Sequence, residues 1–141
     1  MDKSLNLDRF VEAQESFHDL VVSEITAGRK RTHWMWFTFP QLNGLGQSRM
    51  AMLYGIRDID EARAYLAHPL LGTRLLQLVS LVGASHSTPQ QLFGPDVCKF
   101  RSCLTLFALA QGEQGIFEYS LRDKFAGEKC QRTIDLLEPH D

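Results

Sequence analysis

The sequence predicts an all-α fold: a compact single-domain bundle of about seven or eight short helices with short connections. Three observations predict it. Apolar residues recur at helical spacing through most segments, most clearly in 7–27, 70–83 and 96–111. Helix start and stop signals punctuate the chain at short intervals, with Ser, Thr or Asp before the periodic runs and Gly or Pro after them. No segment alternates apolar and polar residues long enough to build a sheet of three or more strands. The 141 residues suffice for one domain, expected over 1–141 with an ordered core of about 7–137. A hydrophobic share of 44% against 23% charged residues is globular composition and argues against disorder.

Each element has its own reason. Residues 7–27, LDRFVEAQESFHDLVVSEITA, read as one amphipathic helix with Phe10, Phe17, Leu20, Val21 and Ile25 near one face. Gly28 stops it, and Arg29, Lys30 and Arg31 follow where the helix dipole favours cations. Residues 33–39, HWMWFTF, fit either a helix or an extended segment. Phe39 precedes Pro40, which pushes it toward extended backbone, and both Phe37 and Phe39 are expected in the core. PQLNGLGQS is a loop, after which Ser48 caps a short helix running to Leu53 and Tyr54 and ended by Gly55. Asp58 with Glu61 resembles a capping box for a helix that stops at His68, and Pro69 is expected in the first turn of the next helix, about 70–83. That helix buries Leu71, Leu75, Leu78, Val79 and Val82. Thr88 caps a short turn entered through Pro89. A strong helix follows from Asp96 with Phe100, Cys103, Leu104 and Phe107 at helical spacing, then helices over about 116–126 and 130–138.

Composition narrows the function classes. No apolar run approaches the roughly 18 residues of a membrane span, and MDKSLNLDRF has no signal-like apolar stretch, so a cytoplasmic location is the expectation. A net charge of −2 argues against a dedicated nucleic-acid binder. The middle of the chain is positive, however: residues 25–95 carry seven bases against three acids, which fits an anionic ligand or a basic face that balances acidic helices. Cys98, Cys103 and Cys130 lack paired spacing, so no disulfide framework is expected, and all three read as small buried or half-buried residues. His18, His33, His68, His86 and His140 have no partner at ligand spacing, so neither a metal nor a cofactor is expected.

Three constellations carry possible chemistry. The loop NGLGQSRM places Gly44 and Gly46 before a helix start at Ser48 with Arg49 in its first turn. It lacks the third glycine and the parallel sheet of a dinucleotide fold, and is either an anion-binding loop or a plain capped turn. In the aromatic block, Trp34 next to His33 is the candidate pocket wall. Along 96–111, Lys99 and Ser102 share a polar stripe with Thr105; a Lys with a Ser can bind an oxyanion, or act as base and nucleophile, or simply form a solvated face.

GRKRTHWMWFTFPQLNGLGQS, EARAYLAHPLLGTRLL and KFRSCLTLF together resemble the bacterial family catalogued as domain of unknown function 1810, over about residues 7 to 137. The resemblance implies an all-helical compact domain and no known activity. Some members carry the label calpastatin, which does not suit this chain: such an inhibitor would be disordered and repetitive. The family pattern falls on His33, Trp34, Gln41, Arg74, Lys99, Ser102 and Thr105 among its polar and pocket-forming members, and Cys103 stands where the family more often has serine. A further similarity, to small helical domains linked to NAD and ADP-ribose metabolism, rests on size and on Trp, Lys and Arg content.

The sequence therefore points to a polar-aromatic pocket for an anionic, nucleotide- or ADP-ribose-like small molecule, with turnover undetermined. Trp34 would stack, Arg74 and Lys99 neutralise charge, and His33, Gln41 and Ser102 hydrogen-bond. His33, Lys99 and Ser102 are the catalytic candidates, His33 because its pKa lies near neutrality. The alternatives are a protein-interaction or structural domain whose polar residues form a buried network, and weak nucleic-acid binding through the basic 29–57 stretch.

Overall fold

Residues 6–112 and 115–138 are described by the structure, a computed structural model; His140 lies outside them. Among the described residues there are ten α-helices and no strand. They are α1 (Asp8–Glu15), α2 (His18–Ala27), α3 (Met35–Thr38), α4 (Arg49–Leu53), α5 (Ile59–Ala67), α6 (Leu71–Ala84), α7 (Pro89–Phe93), α8 (Val97–Gln111), α9 (Ile116–Phe125) and α10 (Gln131–Leu137). A 3-10 turn, Gly94–Asp96, joins α7 to α8. One isolated parallel bridge pairs Leu42 with Ile56 and closes the long loop after α3.

The helix expected over 7–27 is two helices. A straight one would run roughly 30 Å, too long for both ends to reach a small core. The turn at Ser16 and Phe17 folds it, so that Phe10 and Ile25 are both buried. The turn also lets Gln14 donate to the Phe37 carbonyl (2.7 Å) and the Tyr65 hydroxyl (3.0 Å). The ambiguous aromatic stretch winds into a single helical turn, α3, with Phe37 and Phe39 buried. These two changes account for ten helices where seven or eight were expected.

The caps follow the local chemistry with two departures. Ser48 accepts from the Ala51 N–H, and Thr88 with Gln91 forms a complete capping box. Asp58 accepts from the Glu61 N–H, but the Glu61 carboxylate turns to the Arg57 N–H (2.7 Å) and to Arg9 (3.3 Å), so only half the box forms. Pro69 precedes α6 instead of lying in its first turn. His68 does the capping: its Nδ1 accepts from the N–H groups of Leu70 (3.1 Å) and Leu71 (3.2 Å).

The core gathers around α8, which is buried along most of its length and packs against α5, α7, α9 and α10. Phe93 and Phe100 stack at 4.5 Å, and Phe39 meets both edge-on, at 5.7 and 5.1 Å. Edge-on and offset rings of this kind add to simple burial. α5 and α6 meet at 89°, and the corner depends on Gly72. A Cβ there would lie 2.1 Å from the Leu66 carbonyl oxygen, a backbone atom that cannot rotate away. Among the described residues no single helix is long and apolar enough to cross a membrane.

Two stability outcomes follow. Gly72→Ala is expected to lose about 3 kcal/mol, the upper end of overpacking costs, because the corner itself must open. Phe39→Ala is expected to lose about 3–5 kcal/mol as a fully buried aromatic truncation. Urea unfolding midpoints of the two variants against wild type check both values.

Candidate functional site

The site is organised by the loop that leaves α2. Gly28, with φ of 86°, ends the helix in a left-handed turn, and the Arg29 N–H bonds to the Glu24 carbonyl at 3.1 Å. This closure turns the chain back over the last helical turn and its Glu24 carboxylate. Glu24 then accepts from the N–H groups of Arg31 (2.7 Å) and Thr32 (3.1 Å), from the Thr32 hydroxyl, and from Trp34 Nε1 (2.9 Å). Burial would raise its pKa, but these donors more than offset burial and hold it at about 2.

That network sets the place of Trp34, which is not the expected pocket wall. Its ring is 0% exposed, packed 6.2 Å from Phe39 with the Lys30 amine 5.2 Å from its centroid. An aromatic with one N–H to place is best buried beside a carboxylate, and Glu24 supplies that acceptor. Stacking of a ligand on Trp34 is therefore not available in this arrangement.

Lys30 also departs from its neighbours in the basic triplet. Its side chain is only 8% exposed and its amine sits 2.9 Å from Asp96 Oδ2, while Lys99 Nζ sits 2.9 Å from Asp96 Oδ1. Burial would raise the Asp96 pKa, but the two hydrogen-bonded amines outweigh it and hold the carboxyl below its ordinary value. Lys30 thus ties the end of α2 to the start of α8, where a simple C-terminal dipole partner was expected. The 29–57 bases do not form a row of free cations either, since Arg57 lies 3.3 Å from Asp58.

Two clefts flank the Lys30–Asp96–Lys99 bridge. The first, of about 750 Å³, takes His33 together with Arg29, Arg31, Gln91 and Asp96. The second, of about 490 Å³, takes Gln41, Lys99 and Ser102 together with Arg101, Cys130 and Arg132. Arg74 lines neither; its guanidinium reaches Gln14 at 3.4 Å. The six expected ligand residues are therefore dispersed, with three brought together, His33 placed in the neighbouring cleft, and Trp34 and Arg74 engaged internally.

The second cleft is built where the start of α8, the start of α10 and the loop 41–46 meet. Ser102 and Thr105 are buried, so the polar stripe on α8 faces protein instead of solvent. The Thr105 hydroxyl donates to the Arg101 carbonyl (2.8 Å) and accepts from the Cys130 N–H (2.9 Å), which clamps α10 onto α8. The Ser102 hydroxyl donates to the Cys98 carbonyl (2.9 Å) and lies 3.2 Å from Cys130 Sγ. These hydroxyls serve the α8 backbone and the segment at Cys130, and neither bonds to His33 or Gln41. Charged residues lining this cleft are Lys99, Arg101 and Arg132; Lys99 is paired with Asp96 (2.9 Å) and Arg101 with Glu128 (2.5 Å), which leaves Arg132 without a carboxylate partner among the described residues. An unpaired base beside two shared ones favours anions over cations here.

Glu24, Asp96, Arg101, Cys130 and Arg132 were not singled out from the sequence. One signal was present: a helix expected from about 130 places Cys130 at its N-cap, where N–H groups favour a thiolate. Of the three cysteines read as buried or half-buried, Cys98 is exposed, because the first turn of α8 leaves the core there. Among the described residues no three His, Cys, Asp or Glu side chains gather to hold a metal.

The fold has relatives among known proteins. The family model described as "Protein of unknown function (DUF1810)" matches residues 4–137. The crystal structure at 1.38 Å of the conserved hypothetical protein Rv1873 from Mycobacterium tuberculosis is similar at 45% identity and a TM-score of 0.92, over 96% of this chain and 98% of that one. No curated protein matches the chain.

The Glu24 network has a pH signature. Its folded pKa of about 2 lies below the ordinary 4.5, so its contribution is complete above pH 4.5 and is lost as pH falls toward 2. Glu24→Gln is expected to cost on the order of 3 kcal/mol at pH 7 and clearly less near pH 2.5; urea unfolding of both proteins at the two pH values reads the difference. Lys30→Met is expected to lower the thermal midpoint more than Arg29→Gln or Arg31→Gln, since only Lys30 leaves a half-buried carboxylate short of a partner.

Proposed function

The chain belongs to the family of the matched model, and for this member we propose a small cytoplasmic domain that binds an anionic small molecule in the cleft between α8, α10 and the 41–46 loop. The single observation that carries the reading is Arg132 on the lining of that cleft, a base with no carboxylate partner among the described residues, beside Lys99 and Arg101, whose charges are shared with Asp96 and Glu128. Arg132 neutralises the ligand, with Lys99 and Arg101 drawn on through their ion pairs; Gln41 and Ser102 supply neutral hydrogen bonds. A volume of about 490 Å³ is in the range of small-molecule sites and suits a phosphate-bearing molecule such as a nucleotide or ADP-ribose. Trp34, His33 and Arg74 are not part of this site, and the reading is one of binding.

A second reading, a structural or interaction domain, draws on the burial of Trp34 and on the Gln14–Arg74 contact, which use expected pocket residues to hold helices together. The two readings separate in a thermal-shift series with pyrophosphate, ADP, ADP-ribose and a sugar phosphate. Ligand at roughly 100 times its Kd contributes about 2.7 kcal/mol, a rise of several degrees. The rise is expected in wild type, retained in Arg29→Gln, and lost in Arg132→Gln and Lys99→Met. A rise that survives Arg132→Gln but not Arg29→Gln moves the site to the His33 cleft; no rise with any of the four leaves the structural reading.

A further inference from the structure

α6 and α9 pack against each other, and a cavity of about 240 Å³ remains between them. It shares no lining residue with either cleft beside Asp96. Ile116, Tyr119, Ser120 and Asp123 fall on one side of α9 by their spacing and line it there, while Val79 and Gly83 line it from α6. Two observations point to an occupant. The first is Gly83. A glycine within a helix costs stability against alanine, and here neither backbone nor neighbours require one. Its φ is not left-handed, and a Cβ would meet nothing within 4 Å. What this glycine provides is room. The second is Ser120. It is 4% exposed, and its hydroxyl has no partner among the described residues. The buried hydroxyls of α8 donate to carbonyls one turn back, Ser102 to Cys98 and Thr105 to Arg101; Ser120 makes no such bond. A buried hydroxyl left without a partner is costly. The described protein around it supplies none, so a partner can come only from the cavity that Ser120 lines.

The lining sets the chemistry of that partner. Val79 and Ile116 are apolar, and the Tyr119 ring, 61% exposed, offers an aromatic surface on which a flat ring can pack. Among the described lining residues Asp123 is the charged one, its carboxylate 3.8 Å from the Lys124 amine, and no base joins it, so an anion is disfavoured. The volume lies just below the range of drug-sized pockets, which begins at about 300 Å³, and suits one or two fused rings. A serine hydroxyl both donates and accepts, and another hydroxyl matches it in either sense. We propose that this cavity binds a small neutral aromatic alcohol, whose hydroxyl pairs with Ser120 and whose rings fill the space beside Gly83 against Val79, Ile116 and Tyr119.

The experiment titrates the whole folded chain at pH 7 with 2-naphthol, which is neutral there, and with 2-naphthoate, its anionic counterpart. Calorimetry reads the affinity and NMR chemical shifts locate the site. 2-Naphthol is expected to bind with a Kd below about 1 mM, and 2-naphthoate at least about tenfold more weakly. Shift changes are expected at Val79, Gly83, Ile116 and Ser120 in the wild type. Gly83→Leu puts a side chain into the open space and is expected to abolish 2-naphthol binding while the free protein keeps its thermal midpoint. Ser120→Ala breaks no hydrogen bond in the free protein; it is expected to leave the midpoint at or above wild type and to weaken 2-naphthol about fivefold. Arg132→Gln is expected to leave 2-naphthol binding unchanged, which keeps this result separate from that of the anion cleft. Absence of binding at about 1 mM, shift changes that fall outside α6 and α9, or binding that survives Gly83→Leu each overturns the site. Unchanged affinity in Ser120→Ala, or 2-naphthoate binding as tightly as 2-naphthol, overturns the assignment of a neutral alcohol.

Discussion

The arrangement of the loop between α2 and α3 depends on one buried carboxylate. Glu24 sits in the last turn of its helix, where a negative charge is disfavoured by the dipole, and it is taken out of water. It persists because a left-handed glycine four residues on, Gly28, folds the following chain back over it, and that chain brings its donors. Trp34, fixed by its indole N–H, packs against Phe39 and lies under the Lys30 amine. Phe39 then meets Phe93 and Phe100, and Lys30 meets Asp96. The charged network and the aromatic core are thus two sides of one loop.

α8 carries the other half of the structure. A helix buried nearly all round must place its few polar side chains carefully. Here Ser102 and Thr105 return hydroxyl protons to carbonyls one turn back and offer what remains to the segment before α10. Core packing therefore specifies the position of Cys130, although Cys130 itself lies at the rim. The cationic side chains come from two separate segments, Lys99 and Arg101 on α8 and Arg132 on α10, and their convergence is a property of how α10 docks.

Much of the fold was legible because helix ends announce themselves locally. Ser48, Asp58, Thr88 and Gly28 act where their side chains or φ angles say they should. The break at Ser16 and Phe17 was not legible, since no glycine or proline marks it; it is imposed by tertiary burial of Gln14. Of the candidate site, Gln41, Lys99 and Ser102 were found through polarity in a patterned segment, and they do share a cleft. Trp34 was misplaced because a sequence shows that an indole needs an acceptor and not where the acceptor lies. Arg101 and Arg132 were overlooked because isolated bases look alike until the chain brings them together.

Asp96 gives one oxygen to Lys30 and the other to Lys99, and these lysines border different clefts. The two clefts share a counter-ion. An anion that draws Lys99 toward itself leaves more of the carboxylate's charge to Lys30, which stiffens the hold on the Trp34 loop; an anion that draws on Lys30 does the reverse. Were anions to bind in both clefts, thermodynamic reciprocity would make any coupling through this one carboxylate act equally in both directions.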